Sequence, residues 1–467
     1  MLESLTSRAS RLWSTDVRWQ VVAFAAAVYF AFAVMPGMQA PALVLLGALV
    51  LVAIAAGSPF VLVGVFIFVL FTRPVDFFPQ LEVLQPAKMP ALAALLVLCF
   101  IRLVNRETRW ARSPMNVWMA LLTIAWVISA VDSSDRGDSI KFFVAVMVKI
   151  SILWFLLLNV VDTKRRAYAL QIIAASFVAL IGAYALVNKF RGVMMVEGTR
   201  AAFVGYLGDP NDLCLALLIG FPFVVETALS TRGWRRVAFG ALGILLLSAV
   251  LATQSRGGLL GLGAGMYVLL WQRTKSHVFS GGLAAVGLVG LVAVAGIAGR
   301  ATTATADSAV IDTSAAGRLD AWRAGMRMVR YNPVTGVGIN QVAFSYGNYA
   351  VNPVSWRMKT SHNMYVQCIA ETGLLGIVPF MMLVFSSLHI TWRLRRKIPP
   401  DATPLEAAFR RSQFANVVTL LVTASFLSVA WYWFPYIVFA QAAASERIFL
   451  GLGNREGVLD GLWNPDE

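Results

Sequence analysis

The feature that most constrains this chain is a succession of apolar stretches running from end to end. Segments near 20–35, 41–56, 59–72, 88–104, 115–131, 139–161, 166–188, 211–229, 236–253, 256–272, 279–299, 366–390, 412–430 and 434–449 carry few charges. A helix rises about 1.5 Å per residue, so most of these cross or nearly cross ~30 Å of hydrocarbon. No water reaches backbone groups inside a bilayer, so such runs must be helical. The expectation is an all-α, polytopic membrane helix bundle of about 12–14 transmembrane helices. The short pairs 41–56/59–72 and 412–430/434–449 leave the count open. Composition agrees: of 467 residues, 58% are hydrophobic and only 13% charged, with a mean hydropathy of +0.71. Soluble domains carry about 25% charge, so a soluble multidomain enzyme is excluded.

Orientation follows from the basic residues. Lys and Arg number 39 against 24 Asp and Glu, a net charge of +15. They collect in alternate short loops, at Arg106–Arg112, Lys164–Arg166, Arg232–Arg236, Arg273–Lys275 and Arg393–Lys397. The intervening turns hold few: none at Pro36–Gly37, Arg136 among Asp132, Asp135 and Asp138, and Arg256 by itself. The positive-inside bias then places the N-terminus on the cytoplasmic side of the membrane. Met1–Gln20 carries Arg8, Arg11 and Arg18 ahead of the first apolar run, and no convincing small-residue cleavage site follows that run, so the first span reads as a retained anchor. The expected organisation is a membrane region 1–299, a periplasmic loop 300–362, C-terminal spans 363–450 and a cytoplasmic tail 451–467. Cys99, Cys214 and Cys368 lie in or beside apolar runs and read as small buried hydrophobes. His277, His362 and His389 are too few for a histidine-rich metal centre.

This orientation exposes Asn188–Asn211, the turn at Arg256 and the long loop Arg300–His362 on the outer side. The loop carries Arg300, Arg318, Arg323, Arg327, Arg330, Arg357 and Lys359 against Asp307, Asp312 and Asp320. Its stretch 301–316 reads as irregular. From Gly317, Leu319, Trp322, Met326 and Val329 recur at helical spacing, which predicts an amphipathic helix over 318–331, stopped by Asn332-Pro333. Arg323, Arg327 and Arg330 fit either lipid headgroups or a cationic pocket for a phosphate-bearing substrate.

Arg256, pinned between two spans, either snorkels to the interface or meets an anionic partner. Gly257, Gly261 and Gly265 after it form a small-residue face for close helix packing. Asp209-Pro210 reads as a helix N-cap with proline at the first helical position. His362 opens a helix beside Asn363 and Tyr365, where the helix dipole favours a neutral imidazole able to accept a proton. Lys149, Glu226 and Glu371 are ionisable groups in predicted spans. Lys149 and Glu371 read more readily as members of buried structural pairs than as catalysts, although such positions invite functional suspicion.

Four pieces in order resemble the O-antigen ligase / O-antigen polymerase superfamily of bacterial inner-membrane GT-C-type glycosyltransferases. They are Thr199-Arg200 through Asp209-Pro210-Asn211; Ser255-Arg256-Gly257-Gly258; Gly317-Arg318-Leu319-Asp320-Ala321-Trp322 to Pro333 and Gly336-Val337-Gly338; and His362-Asn363 through Gln367 to Glu371-Thr372-Gly373. The resemblance covers roughly residues 198–376. It implies transfer of a glycan from undecaprenyl diphosphate to an acceptor hydroxyl, on lipid A-core or another glycan or protein, in the periplasm and without a cofactor. The family's essential arginines correspond to Arg200, Arg256 and Arg318, and its essential histidine to His362. Arg323, Arg327, Asn363 and Tyr365 are further substrate-binding candidates. No Asp-x-Asp lies on the outer side to hold a metal, so guanidinium groups would neutralise the departing diphosphate. The partners implied are this lipid-linked donor, the acceptor and membrane lipids, with no nucleic acid. A polymerase would use the same donor with a different acceptor. A lipid-linked glycan transporter is the rival of another class, set back by the absence of half-to-half symmetry.

Overall fold

The computed structural model describes residues 58–78, 81, 86–107, 110–295, 311–350 and 358–451, with backbone only for 311–316. The expected spans 20–35 and 41–56, most of the loop stretch 301–316 and the tail beyond 451 lie outside the described residues. The rest is a bundle of helices: α1 (Pro59–Thr72), α2 (Lys88–Val104), α3 (Met115–Val131), α4 (Arg136–Val160) and α5 (Lys164–Phe190) come first. A two-strand hairpin, β1 (Met195–Val196) and β2 (Arg200–Ala201), leads into α6 (Pro210–Leu218) and α7 (Phe221–Ser230). There follow α8 (Gly233–Thr253), α9 (Arg256–Thr274), α10 (His277–Val294), α11 (Ile311–Tyr331), α12 (Val342–Tyr349), α13 (Met364–Arg396), α14 (Pro404–Ala424) and α15 (Trp433–Leu450). Among the described residues, six helical stretches are long and apolar enough to cross a membrane, α6 and α7 together counting as one. Two shorter apolar helices, α1 and α3, accompany them. The fold is an all-α polytopic membrane protein.

Departures from regular helix have local causes. The expected span 211–229 is a broken one: Gly220 takes φ +81° between α6 and α7, and its N–H donates to Asn416 Oδ1 at 3.0 Å. The span expected at 412–430 begins earlier, at Pro404. Thr403 caps that end by accepting from the Glu406 N–H at 3.2 Å, the Ser/Thr-x-x-Glu pattern of a helix start. Arg410 pairs with Glu406 one turn on, at 2.6 Å, so the polar first turns stay buried inside the helix. The helix then ends at Ala424, which frees residues 425–432 to form a connection.

The glycine face of α9 lies against α14. A Cβ at Gly257 would overlap Phe426, one at Gly261 would overlap Thr423 and approach the Thr419 carbonyl to 3.0 Å, and one at Gly265 would overlap Thr419. By contrast α10 packs against α9 and leaves almost all of its surface open, as a helix facing lipid does.

The bundle has two chemically different ends. At one, Glu226 accepts from Arg273 (2.9 and 3.0 Å) and Arg411 (3.3 Å), Glu406 binds Lys164 and Arg410, and Asp162 binds Arg166. At the other lie Arg73, Arg200, Asp209, Arg256 and His362, with α11 and the loop after it packed across the start of α13.

Candidate active site

Arg200 is delivered by the hairpin. Val196 pairs with Arg200 across a three-residue connection in which Glu197 and Gly198 both take positive φ (53° and 69°), so the chain reverses tightly. This folds Arg200 inward to 7% exposure. Its Nε donates to the Thr253 carbonyl at 3.0 Å and its Nη2 to Asn211 Oδ1 at 2.9 Å, while Nη1 lies 3.8 Å from Glu197 Oε1. Asn211 is fixed in turn by Asp209, whose Oδ1 accepts from the Asn211 N–H (2.7 Å) and Nδ2 (2.8 Å). Asp209 is thus the N-cap of α6 with Pro210 at N1, and its second carboxylate oxygen is left over. Arg200 ties β2, the end of α8 and the start of α6 together.

Arg256 is differently placed. Thr253 and Arg200 stand just before it; Gln254 turns the chain through φ +53° and Ser255 caps α9, accepting from the Gly258 N–H at 3.2 Å. The Arg256 side chain projects from the first position of the helix and is exposed. No acid among the described residues is paired with it. A cation at the positive end of a helix gains from an anion arriving there.

His362 sits in the left-handed region (φ +44°), where a non-glycine residue needs support. Ser428, in the connection after α14, supplies it by accepting from the His362 N–H at 2.8 Å; the Ser428 and Ser361 hydroxyls lie 3.1 Å apart. Trp322 of α11 donates from Nε1 to the Ser361 carbonyl at 2.8 Å. Asn363 caps α13, accepting from the Tyr365 and Val366 amides at 2.9 and 3.1 Å. The imidazole Nε2 is 3.2 Å from Thr360 Oγ1. Burial pushes the His362 pKa below the ordinary imidazole value, and the Arg318 charge pushes it the same way, while Asp209 opposes them. Imidazole, Arg318 and Asp209 therefore share one electrostatic neighbourhood, and Asp209 links it through Asn211 to Arg200.

The remaining sequence candidates divide. Arg323 is exposed on α11. Arg327 donates to the Tyr349 carbonyl at 2.8 Å, which anchors α12. Tyr365 reaches the Leu421 carbonyl at 3.4 Å and Asn363 serves as a cap, so both act within the protein. Helix α11 is longer than 318–331 and its packing side differs from the expected one. Ala321, Ala324 and Met328 are buried, and Gly325 lies close to Val366 of α13, whereas Leu319 and Met326 are half exposed. Small residues allow the close approach, which a search for large apolar side chains overlooks.

Glu371 is buried without a cationic partner among the described residues. Its carboxylate accepts from the backbone amides of Asn340 (2.8 Å) and Val342 (3.2 Å) and from the Trp431 indole. It seats the loop after α11 into the start of α13, which is structural work. Sequence reasoning missed Ser428 and Trp431, which act from beyond the last motif and carry no local signature.

The bundle and this site define a multi-pass membrane protein with, at one end, a histidine and an arginine that has no acid partner among the described residues. Residues 241–381, from α8 into α13, match the family model described as O-Antigen ligase. The exopolysaccharide production protein ExoQ of Rhizobium meliloti (strain 1021) is 24% identical over 233 residues, covering 45% of this chain and 50% of that protein. The chain thus spans about half the length of the curated relative it matches. The resemblance to the O-antigen ligase / O-antigen polymerase superfamily carried by the four motifs is borne out.

Proposed function

We propose that this protein transfers a glycan from undecaprenyl diphosphate to an acceptor hydroxyl at the periplasmic face of a bacterial inner membrane. The observation that carries the reading is an imidazole kept neutral by burial and by Arg318, at the same end of the bundle as the exposed Arg256. His362 takes the proton of the acceptor hydroxyl as its oxygen attacks the anomeric carbon. The bond from that carbon to the diphosphate oxygen breaks on the opposite side, so configuration inverts. The departing electron pair stays on undecaprenyl diphosphate, whose developing charge Arg256 and Arg318 stabilise without a metal. Arg200 is bound to Thr253, Asn211 and Glu197, and in this reading it shapes the site rather than gripping phosphate.

The acceptor is lipid A-core or a similar glycan in the ligase reading. With another lipid-linked repeat as the acceptor the enzyme would be a polymerase, and the relative named an exopolysaccharide production protein keeps that second reading in view. Purified protein given a lipid-linked glycan and each acceptor separates the two by product length. His362→Ala should reduce transfer at neutral pH by 10²-fold or more, on the order of a lost general base; unchanged transfer removes the base assignment.

A further inference from the structure

Lys149 takes no part in the site above, yet it occupies a costly position. It lies midway along α4, half-buried, two residues after the π-helical turn Phe143–Met147. Such turns insert an extra residue, re-aim the side chains that follow, and concentrate at functional sites. No acid among the described residues pairs with Lys149. The charges that act on it are those of Lys88 and Arg73, both cations. Lys88 is the first residue of α2, where the helix dipole already disfavours positive charge. Arg73 ends α1, and α1, α2 and α4 pack against one another. Asp76 binds Arg73 through both carboxylate oxygens (2.6 and 3.0 Å) and offsets that one charge. Among the described residues, two ammonium groups remain without an acid partner, one of them half inside the bundle.

The cluster is also joined to the His362 site. The Arg73 guanidinium lies over the Tyr206 ring at 3.9 Å, and Tyr206 stands 5.5 Å from Tyr432. The Tyr432 hydroxyl donates to Asp212 at 3.5 Å, three residues from Asp209. An aromatic and carboxylate path therefore runs from Arg73 to the first turn of α6, whose N-cap Asp209 acts on the imidazole.

We propose that Arg73, Lys88 and Lys149 form a second oxyanion site, which takes the phosphate of a membrane lipid other than the one held at Arg256. The proposal rests on the transferase reading only for its use: a phosphate held here would keep a second lipid substrate at the far end of that path from the donor. Its source is either the substrate lipid or a bulk anionic phospholipid.

The test is calorimetric titration of farnesyl diphosphate into the full chain in phosphatidylcholine nanodiscs. The wild type should bind at two sites. Lys149→Met should weaken one of them at least tenfold and leave the other, with an unchanged melting temperature; Lys88→Gln, on an exposed side chain, should weaken the same site and serves if Lys149→Met does not fold. Repeating the titration in phosphatidylglycerol nanodiscs identifies the source. Competition at this site assigns a bilayer phospholipid, and its absence assigns the substrate lipid. If both variants retain two unchanged sites, the proposal is overturned. If Arg256→Gln retains both sites while Lys149→Met loses one, the second site stands and the Arg256 clamp fails.

Discussion

Two arginines close together in space are held in opposite ways, and that difference predicts different phenotypes. Arg200 is buried and bonded to two other elements, so Arg200→Gln leaves the Thr253 carbonyl and Asn211 without their donor. A buried acceptor that loses its partner costs about 1–3 kcal/mol, so this variant should melt several degrees lower and lose activity as a consequence. Arg256 is exposed, and Arg256→Gln should leave the melting temperature unchanged while turnover falls about 10²-fold, the scale of one lost charge-stabilising group. Scanning calorimetry beside a transfer assay reads both. An Arg256 variant that unfolds, or an active and stable Arg200 variant, reverses the assignment.

The imidazole gives a signed pH dependence at the same scale. A base acts deprotonated, so activity should rise with pH through the His362 pKa, which lies below the ordinary value. Arg318→Gln removes a repulsion, raises that pKa and moves the rising limb to higher pH. Asp209→Asn removes an attraction and moves it to lower pH, and asparagine caps a helix as well as aspartate does, so the fold is kept. Limbs that stay fixed in both variants separate His362 from the titration.

At the scale of elements, the site depends on how the loop after α11 is fitted into α13. Gly373 takes φ +58° with ψ −155°, a combination reserved for glycine, and a Cβ there would overlap the Val334 carbonyl. Gly336 and Gly338 approach Glu371 and Ser133 as closely. Gly373→Ala should therefore destabilise by about 1–3 kcal/mol and loosen the Trp322–Ser361 bond that positions His362, read as a lower melting point and faster hydrogen exchange over residues 332–341. Equal stability would show that the loop does not need the kink.

The glycine face of α9 was legible because its four-residue repeat lies within one helix, and the His362-Asn363 helix start because its cap acts on amides two and three residues on. The support from Ser428 and Trp431 was not, since each comes from a segment some sixty residues further along whose apolar character hides its role. The broken span at Gly220 was hidden for a related reason: hydropathy registers length and polarity, not a φ value that one Asn416 side chain fixes.

For the whole molecule, alternating charge marks out two ends that do different work. At the end opposite His362, Glu226 is fully buried and holds Arg273 and Arg411, joining α7, α9 and α14. Those are the helices whose other ends place Arg256 and the Ser428 connection. Glu226→Ala leaves two guanidinium groups without their acid. Both are about a third exposed, so water compensates part of the loss, and about 1–2 kcal/mol is expected rather than the full cost of breaking a buried pair. Because α9 and α14 are also locked by the glycine face along their length, the loss should stay at that end. Melting should drop by a few degrees, while the KM for the donor and the pH limb assigned to His362 stay as in the wild type. A shifted pH limb would mean that the two ends are mechanically coupled through α9, and that this ion network helps to set the geometry of the site.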